Sequence, residues 1–230
     1  MEQEAKMSAH TIAVIGGTGP QGMGLGYRFA LAGHTVLLGS RSHDRAAAAA
    51  AELATRLPAG SSIQGTENSK AAESAEIIVL AVPFGGHDEL VASLRGQLEG
   101  KIVISCVNPL GFDKNGPYGL DVEAGSAAES AATLLPGSTV VGAFHHLSAV
   151  VLLAHDGPLR AEDVLVCGDD LPSKQVVMDL AASIVGKPGI DAGRLRQARQ
   201  LEPLTAVLIS INKRYRIHAG VAITGLDNHG

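Results

Sequence analysis

Residues 11–22 read TIAVIGGTGPQG, and this run restricts the chain more than any other feature. A short apolar strand (TIAVIG, residues 11–16) runs into a turn with glycines at Gly17, Gly19 and Gly22. Glycines spaced G-x-G-x-x-G are weak evidence alone, but a strand before them, a helix after them and a second strand on schedule supply the context the motif needs. The first glycine is expected to allow the tight turn. The second lets backbone N–H groups approach a pyrophosphate, and the third lets the helix pack closely on the strand. The helix end then offers free amides and about half a positive charge to an anion. A dinucleotide site follows, with Gly17, Thr18, Gly19, Pro20, Gln21 and Gly22 at its loop.

The rest of the chain repeats the strand–helix alternation of a parallel sheet covered on both faces. The first helix is expected to run to about Ala32, and further strands at 34–40, 62–66 (weak), 76–83, 101–107, 138–144 and 163–169. Helices are expected over 44–57, shortly after Asn68, over 126–135 and 173–185, and as a long final helix from Leu201 to Ile217. The segment DKNGPYG, residues 113–119, reads as a loop. The expected fold is α/β, a Rossmann-type doubly wound, mostly parallel sheet with a small helical C-terminal part.

Composition removes several classes. With 46% hydrophobic and only 18% charged residues, the chain is not a disordered one. Its longest apolar runs, such as LSAVVLLA, fall well short of the roughly 20 residues a membrane helix needs. The polar opening MEQEAKMSAH does not read as a secretory leader. A net charge of −5 and the absence of tryptophan argue against nucleic acid as a partner. Two cysteines, Cys106 and Cys167, cannot staple a chain of 230 residues or make a four-ligand zinc site, so the cytoplasm is the expected compartment.

The end of the second strand decides which dinucleotide fits. A site for NAD usually carries Asp or Glu there to hold the ribose hydroxyls. This chain has Ser40 and Arg41, with Arg45 one turn on. Guanidinium groups match a 2′-phosphate, and Ser40 and Thr18 can add hydroxyl hydrogen bonds, so the cofactor is expected to be NADP(H).

Ligands in such sheets lie at the carboxyl ends of the strands, near the point where strand order reverses. Val82, Pro83, Phe84 and the stretch from His145 to Ala149 are therefore expected around the nicotinamide. Adjacent residues on a strand face opposite ways, so His145 and His146 do not read as two ligands of one metal. No metal site is expected, nor any Ser-His-Asp set.

Taken together, IAVIGGTGPQG, GSR, AVPF, FHHLSA, VCGDD, DAG and ARQLEPLT make a chain that resembles the NADPH:coenzyme F420 oxidoreductase family, from about Thr11 to Leu226. The resemblance implies reversible hydride exchange between NADP(H) and the 5-deazaflavin coenzyme F420, usually in a homodimer. It also implies that Thr18, Gly19, Pro20 and Gln21 hold the pyrophosphate region, that Ser40, Arg41 and Arg45 hold the 2′-phosphate, and that Val82, Phe84 and Ala149 lie near the ring contact. Ser148 and His146 depart from the family pattern. The implied division is an N-terminal extension over 1–10, an NADP-binding domain over 11–150, and a C-terminal part over 151–230 serving the deazaflavin and dimer contacts.

Such a reaction asks for ring positioning, which can supply roughly 7–11 kcal/mol, more than for an acid–base pair. His145, or a backbone N–H beside it, could support charge arriving on the deazaflavin. The acidic tail of that coenzyme would suit Arg194, Arg196 and Arg199, or Lys213 and Arg214. Other readings are an NADPH-dependent reductase of a small imine or carbonyl, and a non-catalytic NADP sensor.

Overall fold

The computed structural model describes residues 9–226. The extension expected over residues 1–10 lies outside them except for Ala9 and His10.

Along the first half run β1 (Thr11–Ile15), α1 (Pro20–Leu31), β2 (Thr35–Ser40), α2 (His43–Ala54), β3 (Ser62–Glu67), α3 (Asn68–Ser74) and β4 (Ile77–Leu80). Then come α4 (His87–Ser93), α5 (Arg95–Leu98), β5 (Ile102–Ser105), β6 (Leu110–Asp113) and β7 (Gly116–Gly119). The remainder holds α6 (Ala127–Leu134), β8 (Thr139–Gly142), α7 (Ala149–Ala154), β9 (Leu165–Gly168), α8 (Leu171–Val185), β10 (Ile190–Asp191) and α9 (Ala198–Tyr215).

Eight strands form one sheet in the order β10-β9-β8-β5-β4-β1-β2-β3. All neighbours are parallel except β8 and β9. The chain leaves β1 toward β3, then returns to place β4 on the other side of β1. That reversal opens a crevice above β1 and β4.

Both faces of β1 are buried, which is why its run is apolar without interruption. Ile12 and Val14 join one core cluster, with residues of α1, α2, α7 and α8, while Ala13 and Ile15 join the other, with α3, α6 and α9. Small residues set the helix spacing. A Cβ at Gly65 of β3 would lie 2.0 Å from the carbonyl oxygen of Ala46, so α2 touches the sheet backbone directly.

Residues 113–119, expected as a loop, are the turn and second strand of a hairpin that spans 110–119. β6 pairs antiparallel with β7 in register Asp113↔Gly116, and Asn115 N–H donates to Asp113 Oδ1 to close the turn. Its second strand lies on α9, where Gly119 leaves room for Pro203. The strong turn residues masked two strands of only four residues each. Three short helices, α4, α5 and α7, were also not anticipated.

Candidate functional site

The glycine loop is a hinge of backbone contacts. Gly16, not Gly17, makes the turn, because Gly16 alone of the loop has positive φ (+76°) and a Cβ there would meet Val82 and Ala81 at 2.6–2.7 Å. Gly17 is needed for contact instead: its N–H donates to Gly39 O at 2.9 Å, and its Cα faces Leu38 of β2. A Cβ on Gly22 would sit 2.7 Å from Gly17 Cα, so α1 packs on the loop as expected. A Cβ on Gly19 would meet only Gly16 O, at an ordinary 3.5 Å, and Pro20 follows as the first residue of α1, where a missing N–H costs nothing.

Two clefts open from this loop and share the wall Gly19, Ala81, Val82 and Pro83. The first, about 320 Å³, is lined by Gly16, Thr18, Ser40, Arg41, Arg45 and Asn68. Ser40 is buried and its Oγ accepts from Ser42 N–H, which leaves its hydroxyl proton for a ligand. Arg41 and Arg45 are exposed, and neither forms an ion pair among the described residues. Ser42 caps α2 and so fixes the turn that carries both guanidiniums. No carboxylate ends β2. The cleft is therefore built for a dianion beside a ribose, and the residues present fit NADP(H).

The second cleft, about 440 Å³, is mostly apolar. Pro20, Gln21, Val82, Pro83 and Ala149 line it on one side, and Thr205, Leu208, Ile209 and Asn212 of α9 form the other. Sequence reasoning gave this helix only cations for the coenzyme tail, Arg199, Lys213 and Arg214, and no part for its apolar face. Its signal is the Thr205, Leu208, Ile209, Asn212 spacing, which is one helical face.

Phe84 lies in neither cleft. Its ring stacks on buried His87 with centroids 6.3 Å apart, and it packs against the core under α4. Ala149 and Val82 do reach the second cleft, and Gly17 and Gly22 act beneath the loop rather than on a ligand.

His145 borders the second cleft by its backbone, whose carbonyl accepts from Asn108 Nδ2 at 3.0 Å and Thr205 Oγ1 at 3.1 Å. Its ring turns inward over Gly142, and neither nitrogen has a partner among the described residues. Burial, with His146 beside it, depresses its pKa to about 3, so the ring is neutral and sealed from the cleft. His146 also packs inward, where Nε2–H donates to Leu201 O at 2.7 Å. A left-handed φ of +64° at Phe144 turns the chain from β8 into this segment.

A pH dependence follows from the buried rings. The folded-state pKa of His145 lies below the ordinary value of 6.5, so its neutral form favours folding above that pH and the benefit is lost as pH falls from 6.5 toward 3. His34, depressed to about 4, acts in the same direction. Chemical denaturation should show the wild type losing stability more steeply between pH 6.5 and 4 than His145→Leu, by on the order of a few kcal/mol. Parallel curves for the two proteins would contradict the buried neutral ring.

Of the basic cluster, Arg199 is committed. It holds Glu129 through two 2.8 Å bonds, and Arg194 and Arg196 border a separate depression with Asp169. Lys213 and Arg214 follow Asn212 in the last turn of α9, and neither lines the second cleft.

Comparison with known proteins points the same way. Residues 11–109 match the family model described as NADP oxidoreductase, coenzyme F420-dependent. The F420-dependent NADP reductase of Methanothermobacter thermautotrophicus is 40% identical, with 96% of this chain aligned to 97% of that one. Its namesake from Methanocaldococcus jannaschii is 37% identical over 94% of this chain and 99% of its own. A crystal structure from Arthrobacter sp. FB24, itself only provisionally assigned as an F420-dependent NADP reductase, superposes with a TM-score of 0.78 at 27% identity, covering 94% of this chain and 100% of that one. Identity at this level over nearly the whole of both chains, on a sheet of this topology, places the chain in the F420-dependent NADP reductase family.

Proposed function

We propose that the two joined clefts divide the work of a reversible hydride exchange between NADP(H) and coenzyme F420. The observation that carries this is the shared wall Gly19–Ala81–Val82–Pro83, with a basic polar cleft on one side and an open apolar one on the other. When bound, the nicotinamide and the deazaflavin supply the two-electron chemistry themselves, a hydride passing from one ring carbon to another.

The protein's own share is placement. The backbone N–H groups of Thr18, Gln21 and Gly22 are the donors offered to the pyrophosphate, since that of Gly19 is held by Gly16 O, and Ser40, Arg41 and Arg45 hold the 2′-phosphate. Val82, Pro83 and Ala149 with the α9 face form a slot that admits flat rings and sheds water. Neutral, buried His145 fixes the slot's rim through its carbonyl and takes no proton from the cleft. Lys213 and Arg214 are the cations we assign to the acidic tail of the deazaflavin coenzyme.

We propose a homodimer, for which exposed Phe112 and Tyr118 on the hairpin and Val207 on α9 offer apolar surface. The division into an NADP-binding part to residue 150 and a deazaflavin-side part beyond it fits the same reading. Free Cys106 and Cys167 accord with a reducing compartment such as the cytoplasm.

Mixing the protein with NADPH and oxidised F420 tests the reaction directly. Steady loss of the deazaflavin absorbance is expected. Turnover confined to a cyclic imine would select an imine reductase, and cofactor binding without turnover would select a sensor.

A further inference from the structure

One buried polar side chain in the basic cleft is only half used. Asn68, the first residue of α3, is 7% exposed, yet it lines the cleft with Ser40, Arg41 and Arg45. Its Oδ1 accepts from the N–H of Gly16, the residue that makes the loop's turn. A Cβ on Gly39 would lie 2.7 Å from that same oxygen, which explains the glycine just before Ser40. Because Oδ1 must face a backbone donor, the amide orientation is set. Nδ2 then points the other way. It donates to nothing among the described residues, and it is not among the side-chain atoms sealed from solvent.

A carboxamide has two donor hydrogens besides its acceptor, and a side chain this buried normally spends them within the fold. Here the unmet donor opens between the glycine loop and the end of β2, where an adenosine ribose must lie if the basic cleft holds NADP(H). We infer that Asn68 is a specificity-determining residue: Oδ1 positions the glycine turn, and Nδ2 donates to the 2′-phosphate. The inference rests on the NADP(H) reading of this cleft. It would make β3 the third strand, after β1 and β2, to contribute at its carboxyl end to nucleotide recognition.

The two roles separate in the ratio of affinities. NAD+ and NADP+ place the same pyrophosphate over the same turn, so disturbing Gly16 weakens both alike. Loss of a donor to the 2′-phosphate weakens only NADP+. Calorimetric titration of NAD+ and NADP+ into the wild type, Asn68→Ala and Asn68→Asp reads this without turnover, and apo thermal unfolding verifies that each variant is folded. In Asn68→Ala the preference for NADP+ should fall about tenfold. In Asn68→Asp, which keeps an acceptor for Gly16 N–H but aims an anion at the phosphate, NADP+ should weaken more than tenfold while NAD+ shifts less than threefold.

An unchanged preference in Asn68→Ala, with both nucleotides weakened equally, would reduce Asn68 to a prop for the loop and overturn the assignment. A wild type that binds the two nucleotides equally would instead remove the NADP(H) reading itself, so the two failures are told apart.

Discussion

In the Arg41→Asp protein, NADPH should bind at least a hundredfold more weakly than in the wild type, while NADH should bind as well or better. Arg41 stands at the end of β2, exposed and without an ion-pair partner among the described residues, where a charge-assisted bond to a 2′-phosphate is worth about 1.5–3 kcal/mol. The substitution removes that bond and sets a carboxylate against a dianion, two effects of the same sign. It also supplies the acid that NAD-selecting sites use on ribose hydroxyls. Arg45, one turn along, faces the same cleft and would retain part of the attraction, so Arg41→Asp with Arg45→Ala should lose more than either change alone. Since both guanidiniums are exposed, the wild-type preference should also shrink with added salt, as the screening length falls from about 10 Å at 0.1 M to about 3 Å at 1 M. Equal affinity of the wild type for NADPH and NADH would sink the assignment of this cleft.

How much of this site the sequence disclosed depended on the range of the forces involved. The glycine loop was legible because its constraints are local: strand, turn and helix follow one another within twelve residues, and backbone sterics leave few alternatives. Even so, spacing assigned the turn to Gly17. The left-handed residue is Gly16, because β4 brings Ala81 and Val82 against that position from across the sheet. Arg41 and Ser40 were legible for the same local reason.

Features that depend on distant packing were not. Phe84 looked like a ring for the nicotinamide pocket, but α4 begins three residues later and His87 takes its face. The histidine pair looked like a donor to the cleft. The left-handed turn at Phe144 and the helix α9 instead draw both rings inward. Asn68 went unremarked because its neighbours, Gly16 in the loop after β1 and Gly39 on β2, are distant in sequence. An asparagine directly after β3, whose end pairs with Ser40 at the end of β2, is the signal that could have found it.

α7 shows the same limit and carries the other large expected effect. Val150-Val151-Leu152-Leu153 is β-branched and aliphatic, and nothing local marks it as a helix. What holds it is Arg28 of α1, which is 1% exposed and has no carboxylate bonded to it. Nε donates to Leu152 O and one terminal nitrogen to Gly157 O, both at 2.7 Å, while the other reaches Val151 O at 3.4 Å. Arg56 adds a 2.6 Å bond to Leu153 O. Two cations thus satisfy the carbonyls at the C-terminal end of a six-residue helix, where its dipole is negative.

Arg28→Met keeps the length and apolar stem but orphans the buried Leu152 carbonyl and frees that of exposed Gly157 to water, so it should cost about 2–4 kcal/mol. For a domain of this size that lowers Tm by about 4–16 °C. Arg28→Ala should cost more, because it also leaves a cavity where the stem packs beside α7. The opposite end of α7 is Ala149, in the wall of the apolar cleft but not of the basic one. A loosened α7 should therefore raise KM for the deazaflavin several-fold in Arg28→Met while the Kd for NADPH stays within about twofold. If both cofactors weaken together, α7 supports the whole crevice. If Tm is unchanged, the guanidinium is not what holds the helix.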